Sequence, residues 1–133
     1  MSPLPMTDAA RYFGASASAL VLRARRTELL ASNIANAATP GFKARDLDFA
    51  AALRAATSGG PLATSHAGHI AHAGPRPAAS PGWRMPVQPS LDGNTVELST
   101  EQAQFGENAT RFQASLAFIN SRIASLKAAL RGE

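Results

Sequence analysis

The chain has 133 residues, no cysteine, one Trp and one Tyr, and its 45% hydrophobic content leans on alanine, which contributes little burial per residue. Disulfides, thiolate metal sites and thiol nucleophiles are therefore excluded, and the sequence contains neither a run of about 18 apolar residues nor a cleavable secretion pattern at its start. The formal charge of +4 would suit an anionic partner, yet only Arg23, Arg25 and Arg26 cluster, and helical geometry spreads these three over much of a circumference.

The first element is predicted to be a helix beginning near Thr7-Asp8, where a capping side chain precedes a first-turn acid, and running to about Asn36. Alternating steps of four and three from Phe13 give Ala17, Leu20, Ala24, Thr27, Ala31 and Ile34, with Val21 and Leu30 beside them. Small residues alternate with larger ones, so a second helix is expected to approach closely and fill the gaps.

The helix is forced to stop at Thr39-Pro40-Gly41-Phe42. Proline pushes Thr39 out of the helical region, and Pro40-Gly41 suits the centre of a type II turn, where glycine accepts positive φ. Beyond it, Phe42 and Phe49 are expected to anchor an extended segment, while Asn33 and Asn36 are placed to bond free carbonyls at the helix end or a neighbouring subunit.

From Ser58 to Asn94, Gly59-Gly60-Pro61, Gly74-Pro75, Pro77, Ser80-Pro81-Gly82, Pro86, Pro89 and Asp92-Gly93 forbid long helices and central strands. A long irregular connection is expected. His66, His69 and His72 recur every three residues, but Gly68 and Gly74 argue against the local helix that would gather them on a metal. Solvated or interface histidines fit better.

The last element carries the clearest pattern. Steps of four and three from Leu98 reach Gln102, Phe105, Ala109, Phe112, Leu116, Ile119, Ile123, Leu126 and Leu130, an apolar heptad stripe. Asn94 with Glu97, or Ser99 with Gln102, would form a capping box at its start, and Gly132 supplies a stop. The expected fold class is all-α: the terminal helices pair, antiparallel or parallel, as a coiled-coil-like core around a long Gly/Pro-rich insertion. The segments are 1–37, the N-terminal core helix; 38–57, the turn and extended segment; 58–94, the irregular connection; and 95–133, the C-terminal core helix. Large seam residues are few, so the subunit is expected to complete its core against neighbours.

The stretch from Leu29 to Phe49, with Asn33, Asn36, Thr39, Pro40, Gly41 and Phe42 at its centre, resembles the N-terminal signature of the rod and hook family of flagellar axial proteins. Lys43 to Phe49, Leu22 to Arg26, the segments around Thr64-Ser65-His66 and His69-Ile70, and Glu107 to Leu116 are similar to its proximal-rod branch. The resemblance implies a structural subunit of the basal-body rod, exported by the flagellar type III apparatus without a cleaved signal and located in the periplasmic space. Its implied partners are other rod subunits, the rod adaptor and the membrane-ring protein. The resemblance departs at Phe13, which is followed four residues later by the small Ala17 where export substrates of this kind often carry an aliphatic residue.

No nucleophile elbow, phosphate loop or His-Glu-x-x-His motif is present, so catalysis, cofactors and small-molecule ligands are not expected. The candidate residues are the turn set above and a packing seam of Leu20, Ile34, Phe105, Phe112, Leu116, Ile119, Ile123 and Leu126. Rival readings are a basic helical module for nucleic acid or a membrane surface, and a different axial rod subunit.

Overall fold

The computed structural model describes residues 7–57 and 80–132, with side chains from residue 13 onward in the first stretch. The histidine triplet lies outside the described residues. Helix α1 spans Thr7–Ala35 and helix α3 spans Leu98–Arg131, with a third helix, α2, at Phe49–Thr57. Strands β1 (Arg45–Asp46) and β2 (Gly82–Trp83) form a short antiparallel pair, Arg45 opposite Trp83 and Asp46 opposite Gly82. The chain is thus mostly helical, as expected.

Alanine, leucine, arginine and glutamate carry α1 without a proline, and its last turn tightens before Pro40. Ala37 N–H donates to Ile34 O at 3.2 Å and Thr39 N–H to Asn36 O at 3.0 Å, three-residue bonds that close the helix. At the far end of α3, Gly132 takes φ 78° and its N–H donates to Ala128 O, the expected glycine stop.

The segment after the turn departs from expectation. It is extended only as far as β1, and residues 49–57 are helical. Asp48 is the reason: its carboxylate accepts the Ala51 N–H at 3.0 Å and its carbonyl accepts the Ala52 N–H at 2.9 Å, an N-cap leading into an alanine run. Phe49 does anchor, but as the first residue of α2.

Neither capping box forms at α3. Glu97 is the N-cap residue without a side-chain cap bond, and its carboxylate accepts the Val87 and Gln88 N–H groups of the preceding loop. Asn94 turns the other way, toward the end of α1. Ser99 and Gln102 lie within the first turns of the helix, exposed.

The apolar core also sits elsewhere than the heptad stripe predicted. Leu22, Leu47 and Ala52 form the buried cluster, with Leu29, Phe49 and Leu53 packed on it, so it joins α1 to β1 and α2. Cross-pairs of Asn33 with Glu101, Thr27 with Asn108 and Arg23 with Ser115 show that α1 and α3 run antiparallel. That contact is largely polar. Glu101, Asn108, Ser115 and Arg122, one residue in every seven, face inward, and the large apolar side chains flank them half-covered or exposed.

Two leucines separate the core from the stripe. Leu30 is 0% exposed and Leu116 is 41% exposed. Urea unfolding of the isolated subunit is expected to show Leu30→Ala losing about 2–5 kcal/mol, and Leu116→Ala about 1 kcal/mol or less.

Candidate functional site

The turn is built as its residue types require. Phe42 N–H donates to Thr39 O at 3.3 Å across the four residues, and Gly41 at the third position has φ 72°. Asn36 donates its side-chain amide to Ser32 O at 2.8 Å, a carbonyl that also accepts the Asn36 backbone N–H and so is not free, and it accepts the Thr39 hydroxyl at 3.2 Å. Thr39, Pro40 and Gly41 are exposed, and Phe42 is half-buried.

A residue from the distant loop completes the end of α1. The Asn94 amide shares its N–H donors among Asn36 O, Ala37 O and Thr39 O at 3.1, 2.9 and 2.9 Å, while its oxygen accepts the Val96 N–H at 2.7 Å. The loop then zips along the turn: Gly41 N–H to Asp92 O, Thr95 N–H to Phe42 O, and Ala44 N–H to Thr95 Oγ1, all between 2.7 and 3.0 Å. Asn36 O and Thr39 O also accept the Thr39 and Phe42 N–H groups, so Asn94 reinforces these two carbonyls and gives Ala37 O a partner from more than fifty positions away.

Asn33, 1% exposed, belongs to the interior. Its side chain pairs with the Arg45 backbone in both directions, accepting N–H at 3.0 Å and donating to the carbonyl at 2.7 Å, and it donates to Glu101 Oε2 at 3.1 Å. One amide thereby joins α1, β1 and α3. Asn33 is fully engaged within the subunit.

Around it lies an ionic network. Arg26 grips Asp46 with two parallel bonds, Nε to Oδ1 at 2.8 Å and Nη2 to Oδ2 at 2.9 Å, and also donates to Gln104. Arg84 bridges Asp46 to Glu101, whose side chain is 0% exposed. Four segments converge here: α1, β1, the stretch at Arg84 and the first turns of α3. Burial pushes the Asp46 carboxyl up, but hydrogen bonds from Arg26 and Arg84 outweigh it and hold it below the usual range. Its hydrogen bond to Asp46 raises the Arg26 guanidinium above its ordinary value, against burial.

Further along, Asn108 donates to Arg23 O at 3.0 Å and Thr27 Oγ1 at 2.8 Å; nothing among the described residues bonds its oxygen. Arg23 lies over the Phe49 ring at 4.1 Å and Arg45 over Trp83 at 4.4 Å. Among the described residues no three metal-ligating side chains gather.

The predicted seam divides. Leu20, Ile34, Phe105, Phe112 and Ile119 are half-buried, whereas Leu116, Ile123 and Leu126 are exposed. The sequence reading missed Arg26, Asp46, Arg84, Asn94, Glu101, Gln104 and Asn108. Only the seven-residue recurrence of Glu101, Asn108, Ser115 and Arg122 was there to be found; Asp46 and Arg84 carry no local signal.

Two long antiparallel terminal helices, locked through an Asn-rich Thr-Pro-Gly-Phe turn and carrying uncovered apolar side chains, describe a structural assembly subunit. The flagella basal body rod protein family matches residues 13–43. The chain is 52% identical over 128 residues, 96% of its length and 100% of the relative's, to the flagellar basal body rod protein FlgB of Cereibacter sphaeroides (strain ATCC 17029 / ATH 2.4.9). Identity is 46% to the FlgB of Escherichia coli (strain K12), over 90% of this chain and 91% of the relative, and 43% to that of Salmonella typhimurium (strain LT2), over 97% and 98%. The chain belongs to the FlgB family of flagellar basal-body rod proteins.

Two substitutions test the site. Asp46→Asn leaves two guanidinium groups on a neutral amide and is expected to cost about 2 kcal/mol or more at pH 7. Because folding depresses the Asp46 pKa, its contribution is fully present above the ordinary carboxylate value of about 3.9 and is lost as pH falls through the folded value. Urea midpoints should therefore converge for wild type and variant on acidification. At Gly41 a Cβ would meet nothing within 4 Å, so the cost of Gly41→Val is backbone strain alone. It should cost about 1–2 kcal/mol or more, and Gly41→Asn less, by the same measurement.

Proposed function

We propose that the chain is a proximal-rod subunit whose exposed apolar stripe on α3 is the surface it buries against neighbouring rod subunits. The rod adaptor and the membrane-ring protein are its proposed partners at the base, and the flagellar type III apparatus its proposed export route to the periplasmic space. The observation that supports this reading is the row Leu98, Leu116, Ile123, Leu126 and Leu130, exposed along a 34-residue helix about 50 Å long. A row of that length on an isolated subunit marks an interaction surface. The turn residues Thr39, Pro40 and Gly41, also exposed, stand at one end of the helix pair and are proposed as a second contact.

A basic module for nucleic acid or membrane is disfavoured by how the arginines are used. Arg26 and Arg84 are engaged by Asp46 and Glu101, and Arg45 lies over the Trp83 ring. No helix among the described residues is long and apolar enough to cross a membrane.

Ile119 is half-buried, so a charge there would mix folding with assembly; Leu116 separates them. Leu116→Asp is expected to leave a folded, stably expressed subunit that is missing from purified basal bodies, with motility lost. Wild-type incorporation of that variant would contradict the stripe's role.

A further inference from the structure

Between the N-terminal half of α1 and the middle of α3 lies an open groove of about 400 Å³. Ala15, Ser16 and Ala19 form one bank, Ala114 and Ser115 the other, and Arg23, Arg111 and Phe118 rise around them. The groove is cationic. Arg23 donates Nε to Ser115 Oγ at 3.2 Å and stacks on Phe49, but meets no carboxylate among the described residues. Among the described residues, Arg111 forms an ion pair only with its exposed neighbour Glu107, one turn back on the same helix, a pairing worth little in water. Burial lowers the Arg23 pKa, and the positive charges of Arg111 and Arg26 lower it further, so an incoming carboxylate would relieve like-charge crowding.

The complementary surface lies on the other side of the same molecule. Ala17, Val21, Ala24, Glu28, Ala31 and Ala35 are all exposed and recur at steps of four and three, on a face of α1 turned away from α3. Val21, 68% exposed, is the one large apolar residue of that face, and Glu28 has no cation partner among the described residues. Val21 and Glu28 are seven residues apart, as are Arg111 and Phe118, so each pair spans two helical turns, roughly 10 Å. The spacings match when the two helices run antiparallel.

We infer that the groove of one copy receives the outward face of α1 from a second copy of this chain, with Val21 against Phe118 and Glu28 between Arg111 and Arg23. Ala24 then stands opposite Ser115 and Ala114, where small residues on both sides permit close approach. Arg25 falls opposite Ala114, one turn from Arg111. Donor and acceptor surfaces lie on different faces of one molecule, so the contact is head-to-tail and leaves a free groove and a free helix at the ends. Repetition of such a contact without closure gives a helical array. This inference rests on the rod assignment and specifies one of its contacts.

The absence of cysteine provides a clean background for the test. Full-length Ala24→Cys and Ala114→Cys chains are expressed separately and together in motile cells, basal bodies are purified, and cross-linking follows mild oxidation. A disulfide dimer is expected only when both variants are present. Incorporation without the mixed dimer, or a dimer from either variant alone, overturns the contact while leaving the rod assignment standing. Wild-type chain missing from basal bodies overturns both. Independently, Glu28→Arg and Arg111→Glu should each reduce swimming, and the double substitution should restore it; failure of that restoration in a folded, incorporated double variant also overturns the contact.

Discussion

Everything in the subunit is registered on the carboxylate of Asp46 and the two guanidinium groups that hold it. Arg26 reaches it from α1 and Arg84 from β2's continuation, and Arg84 passes the connection on to the buried Glu101 of α3. Interior ion pairs of this kind add little net stability over an apolar core, because desolvation opposes their attraction. Their influence lies in what a misplacement costs. Sliding α3 by one turn would leave Glu101 or a guanidinium without its partner inside the protein, so one register is selected. Alanine-rich surfaces such as those of α1 discriminate poorly among registers on their own.

The consequence is a division of labour along α3. Its inward line, Glu101, Asn108 and Ser115, is polar and specifies the pairing with α1, whereas the large apolar residues beside that line stay half-covered or exposed. A helix that spent its leucines and phenylalanines on the intramolecular seam would have nothing left for neighbours. Here the intramolecular contact is made specific by hydrogen bonds, and in the assembly proposed above the intermolecular one is left to burial. The small apolar cluster of Leu22, Leu47 and Ala52, on the α2 side of α1, holds the turn and β1 in place without drawing on the stripe.

Much of this was legible in the sequence. The two terminal helices, the turn and the glycine stop were readable because proline, glycine and heptad spacing act locally: Pro40 must end α1, and Gly41 and Gly132 adopt the positive φ their positions require. Helix α2 was also readable, since Asp48 is a good cap before an alanine run, but the neighbouring aromatic residues suggested an extended segment. The lock was not readable. Asp46, Arg84 and Glu101 come from three separated segments, and nothing near any of them in the chain announces the others. Asn94 shows the same difficulty: spacing made it a capping residue for the helix that follows, and long-range geometry makes it the cap of the helix that precedes. The apolar stripe is plain in the sequence, but the line of α3 nearest α1 lies about one heptad position away from it, and spacing alone did not reveal that polar residues fill that line.

Polar contacts fix the helix pair near the turn, and the apolar remainder of α3 is left for the neighbours proposed above. Amide hydrogen exchange, compared between the free subunit and basal bodies, tests this arrangement most directly. Strong protection is expected in the free subunit for residues 30–47 and 98–112, weaker protection from Leu116 to Arg131, and a rise in that second region on assembly. Uniform strong protection along the whole of α3 in the free subunit, unchanged in the rod, would contradict it.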